Sequence, residues 1–161
     1  MKINTPKKTE KTHVLSDNKK AFHDYNVMDT LDAGIVLNGD EVKSIKTGHI
    51  NLKGSFVDVF SGECYLNNAH VSKYKNSSKK EFEETRRRKL LLRKKEIEKL
   101  FMEISQKGTT AIPLKVFTHN NLIKIQIGIC RGKKLYDKRE DLKKKAHDLE
   151  INRELKKYKY R

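Results

Sequence analysis

The sequence predicts a small, mainly β protein with flanking helices and a basic C-terminal tail. Three observations carry that reading. Ile123, Ile125, Ile127 and Ile129 alternate without a break with Lys124, Gln126, Gly128 and Cys130, the period-2 pattern of a strand with one buried face. A second alternating run over residues 55–60 meets a Ser61-Gly62 turn and a return strand over residues 63–71, which is a hairpin pattern. Residues 131–161 hold 13 basic against six acidic side chains, too charged a run for a core and suited to an anionic partner.

The chain has 161 residues, about one domain's worth, with 35% hydrophobic and 36% charged residues. That balance is poorer in apolar residues than an average globular chain, so one modest core is expected with part of the chain outside it. The net charge is +16 and the pI about 9.8. Excess Lys and Arg attract phosphate backbones and gain from counterion release. A mean hydropathy of −0.83 and the lack of a long apolar run exclude a helical membrane span. No secretory leader pattern opens the sequence, and the expected location is the cytoplasm. Cys64 and Cys130 lie far apart and outside any C-x-x-C pair, so two reduced thiols in or near strands are expected.

The elements follow in order. Residues 1–16 are rich in Lys and Thr and read as a flexible basic lead; residues 1–20 hold six lysines against two acids. The body spans residues 17–131. Tyr25, Val27, Ile35, Val36 and Leu37 mark a first extended region, interrupted by Asp32-Ala33-Gly34. Residues 38–48 form a short helix: Asn38 caps it, Glu41 lies three positions on, and Gly48 suits the left-handed stop. Val42 and Ile45 are its buried side. In the first hairpin Val57 and Val59 share one face, and Phe56, Asp58 and Phe60 the other. Residues 73–89 are too polar for a core and read as a mobile loop. Residues 94–106 form the clearest helix, with Ile97, Leu100, Phe101 and Ile104 on one stripe; Gly108 ends it. Residues 111–117 and 122–130 form a second hairpin across His119-Asn120-Asn121. The tail spans residues 132–161. There Leu142, Ala146 and Leu149 share a helical face, as do Ile151, Leu155 and Tyr158. Residue 151 lies nine positions after 142, about 900° around at 3.6 residues per turn, so the two stripes face opposite sides. Such a helix cannot lie on the body along one apolar stripe. It is expected to be weakly structured alone and helical on a charged partner.

Catalytic patterns are missing. The six histidines are scattered, with no H-E-x-x-H, P-loop or G-x-G-x-x-G, and Glu83-Glu84 sits in a solvated charge run. No catalytic residue, metal or cofactor is expected. Arg86-Arg87-Arg88-Lys89 runs straight into Leu90-Leu91-Leu92. That switch reads as an anchored strand or turn with a basic rim beside it, which on a compact β body is able to position phosphates; a solvated face is the plainer reading. Lys133, Lys134, Tyr136, Asp137, Lys138 and Arg139 follow the last strand. Tyr136 within this basic stretch can stack on an unpaired base while the flanking cations hold phosphates; a polar C-terminal extension is the plainer reading.

Taken together these segments resemble the SmpB family of small basic proteins that bind transfer-messenger RNA (tmRNA). The resemblance rests on residues 18–25 (NKKAFHDY), 33–37 (AGIVL) leading to 39–45 (GDEVKSI), 51–53 (NLK), 88–92 (RKLLL), 132–134 (GKK) and 137–139 (DKR), in that order. It implies a small antiparallel OB-like β-barrel. It implies no enzymatic activity. It implies a partner, the tRNA-like domain of tmRNA (SsrA), and a second one, the stalled 70S ribosome including its 16S rRNA, in a 1:1 complex with tmRNA and away from membranes. The tail of the family becomes helical as it runs through the decoding region into the empty mRNA channel. Asp32 matches an acidic position on the tmRNA-binding side, where Glu is common. Leu91 and Lys124 match positions implicated in tmRNA contact, with Arg88, Lys89, Lys133 and Lys134 as further RNA-binding candidates. Tyr136 matches a position often held by His and proposed to stack in the decoding centre. Asp137, Lys138 and Arg139 match the tail motif. Other classes stay open on the residues alone: a generic OB-like RNA-binding or ribosomal protein, an RNA-processing enzyme, or a protein of anionic membrane surfaces.

Overall fold

A computed structural model of the chain describes residues 12–77 and 81–159. The expected flexible lead lies outside these residues as far as residue 11. Its last residues are not loose: β1, Thr12–Asp17, pairs antiparallel with a later strand. The ordered body therefore starts before the expected residue 17.

Helix α1, Lys19–Asp24, follows at once and is started by Asn18, whose Oδ1 accepts from the Ala21 amide at 3.2 Å. The Nδ2 of the same side chain donates to the Leu52 and Pro113 carbonyls, so a buried asparagine both caps α1 and fastens it to the body. Strand β2, Tyr25–Ile35, runs unbroken through Asp32-Ala33-Gly34, where an interruption was expected. Gly34 serves a close approach there rather than a turn. A Cβ on it would sit 3.3 Å from Leu91 Cβ on the neighbouring strand.

Helix α2, Gly39–Lys46, starts where the capping pattern put it: the Glu41 carboxylate accepts from the Asn38 amide at 2.7 Å. It ends at Gly48, whose φ of +83° is the left-handed region an L side chain avoids. Ile45 is buried as expected, but so are Ser44 and Glu41. β3, Ile50–Asn51, pairs with β6, His70–Val71. The first hairpin is β4, Phe56–Phe60, and β5, Glu63–Asn67, joined at Ser61-Gly62 with both φ positive, the geometry a two-residue hairpin favours.

Residues 90 and 91 lie in a strand, as the leucine run suggested, but residues 88 and 89 depart from expectation. All four form β7, Arg88–Leu91, between β5 and β2, although residues 73–89 had read as loop. Helix α3, Lys94–Ile104, buries Leu100 fully and half-buries Ile97 and Ile104, but leaves Phe101 56% exposed. The second hairpin is β8, Thr109–His119, and β9, Leu122–Gly132, turning on Asn120 and Asn121, both at positive φ. The tail forms helix α4, Leu135–Lys159.

Six strands run in a ring, β8–β4–β5–β7–β2–β9 and back to β8, with β1 added at the second edge of β8. The β4–β8 seam is a single residue pair, Val57 with Ala111, so the ring is a partly open barrel of OB-like character rather than a closed one. Three bulges shape it, among them one in β2 between Val27 and Asp29 just after α1. Another lies in β8 between Pro113 and Lys115, where a proline is tolerated because the ladder is already broken. A third lies in β1 between Val14 and Ser16. Inside, Ile45, Leu66, Leu90, Leu100, Ile125 and Ile127 are fully buried, each stabilising the fold by about 1.5–3 kcal/mol. Gly128 is needed for space, since a Cβ there would come within 2.9 Å of Leu114 Cγ.

Candidate nucleic-acid interface

The period-2 geometry of three neighbouring strands assembles the first surface. In β2, Asp32 and Gly34 point to one face; in β9, Lys124 and Gln126 do. The register sets Gly34 opposite Leu91 on one side and opposite Lys124 on the other. Asp32 stands opposite Gln126, whose amide donates to its carboxylate at 3.1 Å. Leu91 is 55% exposed. Gly34, Leu37, Leu91, Leu122 and Lys124 line a shallow depression beside α2. Asp32, Leu91 and Lys124, more than thirty positions apart in pairs with Asp32, thus meet on one outward patch that joins an ammonium, a carboxylate and an apolar floor. The glycine between them keeps the floor low.

The other expected contacts divide. Lys89 points outward beside this patch and pairs with Glu63, which also accepts from the Tyr65 hydroxyl at 2.5 Å. That Lys89 bond and the Tyr65 bond hold the Glu63 carboxyl below its usual range. Arg87, a member of the expected basic rim, has its guanidinium 4.0 Å from the Tyr65 ring centre and 5.4 Å from that of Phe60. Arg88 corrects the expectation of a continuous basic rim. It is 0% exposed and turned inward. Its Nε donates to Glu41 at 2.9 Å and its Nη1 to the Ala69 carbonyl at 2.7 Å. Arg86 Nη2 meets the other Glu41 oxygen at 2.5 Å. Burial works against the Glu41 charge. The Arg86 hydrogen bond, the Asn38 amide and the two guanidinium charges outweigh it, and the carboxyl stays below its usual range. β7 alternates, so Arg87, Lys89 and Leu91 face out while Arg88 and Leu90 face in. Nothing in a run of four basic residues reveals that phase; the only sequence signal was Glu41, read as a cap.

The second surface is the root of the tail. Tyr136 is 68% exposed and Arg139 is exposed; a hydrogen bond to Glu140 raises the Tyr136 hydroxyl pKa. Asp137 accepts from the Lys134 amide at 3.1 Å and so closes the first turn of α4. Lys134 is exposed, whereas Lys133 and Lys138 are engaged within the chain. Gly34 pairs with Lys124 at one end of the β2–β9 ribbon, and Tyr25 with Gly132 at the other. At about 3.4 Å per residue the two surfaces are separated by roughly 27 Å along β9.

Cys64 and Cys130 are buried, and burial pushes their thiols up to about 12 and about 11, so both are inert at neutral pH. Among the described residues, no group of three or more His, Cys, Asp or Glu side chains is placed to hold a metal ion, and no helix is long and apolar enough to cross a membrane.

A partly open β-barrel with a mixed charged and apolar strand face and a basic helical extension defines a class of small basic β-barrel proteins. Within that class the chain belongs to the SmpB family, whose model matches residues 15–157 under the description "SmpB protein". It is 47% identical over 145 residues to the SsrA-binding protein of Enterococcus hirae, covering 90% of this chain and 94% of that protein. It is 48% identical over 143 residues to the SsrA-binding protein of Enterococcus faecalis V583, covering 89% and 93%. A solved structure described as "tmRNA-SmpB: a journey to the center of the bacterial ribosome" superposes with a TM-score of 0.64 at 40% identity, covering 74% of this chain and 85% of the other.

Proposed function

We propose that this chain binds the tRNA-like domain of tmRNA and brings it to stalled ribosomes in the cytoplasm, where incomplete peptides are then tagged and the ribosomes released. The observation that carries this reading is the three-strand row Leu91–Gly34–Lys124 with the Asp32–Gln126 pair beside it. A rigid sheet face with a lysine, an acceptor and an apolar floor suits a folded RNA, which is recognised by shape, backbone and 2′-hydroxyls rather than through its closed major groove. Lys124 takes a phosphate, Asp32 accepts from a sugar or base edge, and Leu91 packs against an unstacked surface. Family membership and two relatives named as SsrA-binding proteins support the same partner.

The tail supplies the second half of the reading. Leu142, Leu149, Ile151 and Leu155 are all exposed on α4, so packing on the body does not hold the distal helix. Ordering it costs roughly 1–2 kcal/mol of backbone entropy per residue. Many simultaneous phosphate contacts offset that cost, and an mRNA channel without message offers them. The distal tail is therefore loose on the free protein and helical on the ribosome, where it tests for a missing message from the decoding centre onward. Tyr136 and Arg139 face the ribosomal RNA there.

Gel-shift titration with tmRNA and a tagging assay on stalled ribosomes test the division of labour. Lys124→Ala is expected to weaken tmRNA binding by about 1.5–3 kcal/mol, the worth of a hydrogen bond to a charged group. Tyr136→Ala should bind tmRNA as the parent does and tag poorly. The opposite pattern would overturn the assignment.

A further inference from the structure

Three polar contacts join the root of the tail, residues 133–138, to the end of α1, and two more brace them from either side. Lys138 Nζ donates to Asp24 Oδ1 at 2.9 Å, and His23 Nδ1 lies 3.1 Å from the same oxygen. The Lys133 amide donates to the Asp24 carbonyl at 3.0 Å. Lys133 Nζ donates to the Phe22 carbonyl at 3.0 Å and to Asp141 at 2.6 Å. The Lys133 side chain is only 12% exposed. Asp24 stands on a rigid base: it is the last residue of α1, which Asn18 fastens to the body, and it runs directly into β2.

We infer that Asp24 is a positioning residue for the C-terminal helix: by holding Lys138 it sets the direction in which the tail leaves the body. Lys138 then acts inside the chain, and Tyr136 and Arg139 are the members of that segment left for RNA. Helix geometry explains why this matters. Residues 136 and 138 lie about 200° apart around the axis, so turning Lys138 inward turns Tyr136 outward, as its exposure shows. The Lys138 hydrogen bond, then that of His23, holds the Asp24 carboxyl below its usual range, so it is charged at neutral pH. A partly exposed ion pair of this kind adds little to stability, but here it acts on a lever. Where the tail is helical over its 25 residues, at 1.5 Å rise per residue its length is about 37 Å, and a tilt of about 20° at the root moves the tip by about 13 Å.

The test is a charge exchange in the full-length chain: Asp24→Lys, Lys138→Asp and both together. Nitroxides on Gln106→Cys and Leu142→Cys report the direction of the anchored first turns of α4 in the free protein, since the native thiols are buried and inert. Only the tagging readout rests on the proposed function; the distance readout needs no RNA. Each single change should broaden the distance distribution and lower tagging about fivefold, with tmRNA affinity unchanged, and the exchange should restore both. The inference is overturned if the singles keep the parental distances, or if the exchange restores neither distances nor tagging. Restored distances with tagging still lost would also overturn it, because Lys138 would then be needed by the ribosome itself. Should Asp24→Lys not fold, Asp24→Asn must still broaden the distances. If the parent chain neither binds tmRNA nor tags, the proposed function falls while the distances still decide the anchor.

Discussion

Glu41 does two jobs with one carboxylate. It closes the start of α2 through the Asn38 amide, and it neutralises Arg88 inside the protein and Arg86 at its edge. Two charges out of water are costly, and leaving one of them alone is costlier. Glu41→Gln should therefore destabilise the fold by about 3–5 kcal/mol, read as a lower urea midpoint. The pH dependence has a definite sign. The folded Glu41 pKa lies below the ordinary 4.5, so its contribution is complete above that value and is lost as pH falls through the folded pKa. Wild-type stability should drop on acidification below about pH 4.5, and Glu41→Gln should show a flatter acid limb.

At the scale of elements, what the sequence made legible was whatever local periodicity controls. The isoleucine alternation of β9, the hairpin at Ser61-Gly62 and the caps of α2 stand where they were expected. The start of β7 did not, because its inward Arg88 is satisfied by a residue 47 positions away, and a buried arginine looks like a surface one in sequence. Phe101 sat on the expected apolar stripe of α3 but lies at its margin, beyond the reach of the core. Asp32, Leu91 and Lys124 were individually legible through family resemblance, whereas their meeting across Gly34 depends on register. The tail was legible as charged and split-faced, and its apolar residues are uncovered accordingly. Deleting residues 143–161 should leave the thermal midpoint and tmRNA affinity unchanged, while tagging collapses. A lower midpoint would mean that the distal helix packs on the body.

The whole molecule places its two surfaces at opposite ends of the β2–β9 ribbon. One ladder of hydrogen bonds thus fixes the distance between whatever each surface holds. The charge is divided as well. Lys124 has no carboxylate bonded to it among the described contacts, while Lys138 is neutralised by Asp24. The slope of log affinity for tmRNA against log salt should fall by about one unit in Lys124→Ala and stay unchanged in Lys138→Ala. Salt titrations of both variants check this.

β1 lies at the margin of the sheet, paired with β8 and kinked between Val14 and Ser16. A straight bare margin invites another polypeptide to zip alongside, whereas a kinked one offers it no matching row of donors and acceptors. A neighbouring chain with unpaired strands of its own is where such an invitation would do most harm, and this strand withholds it.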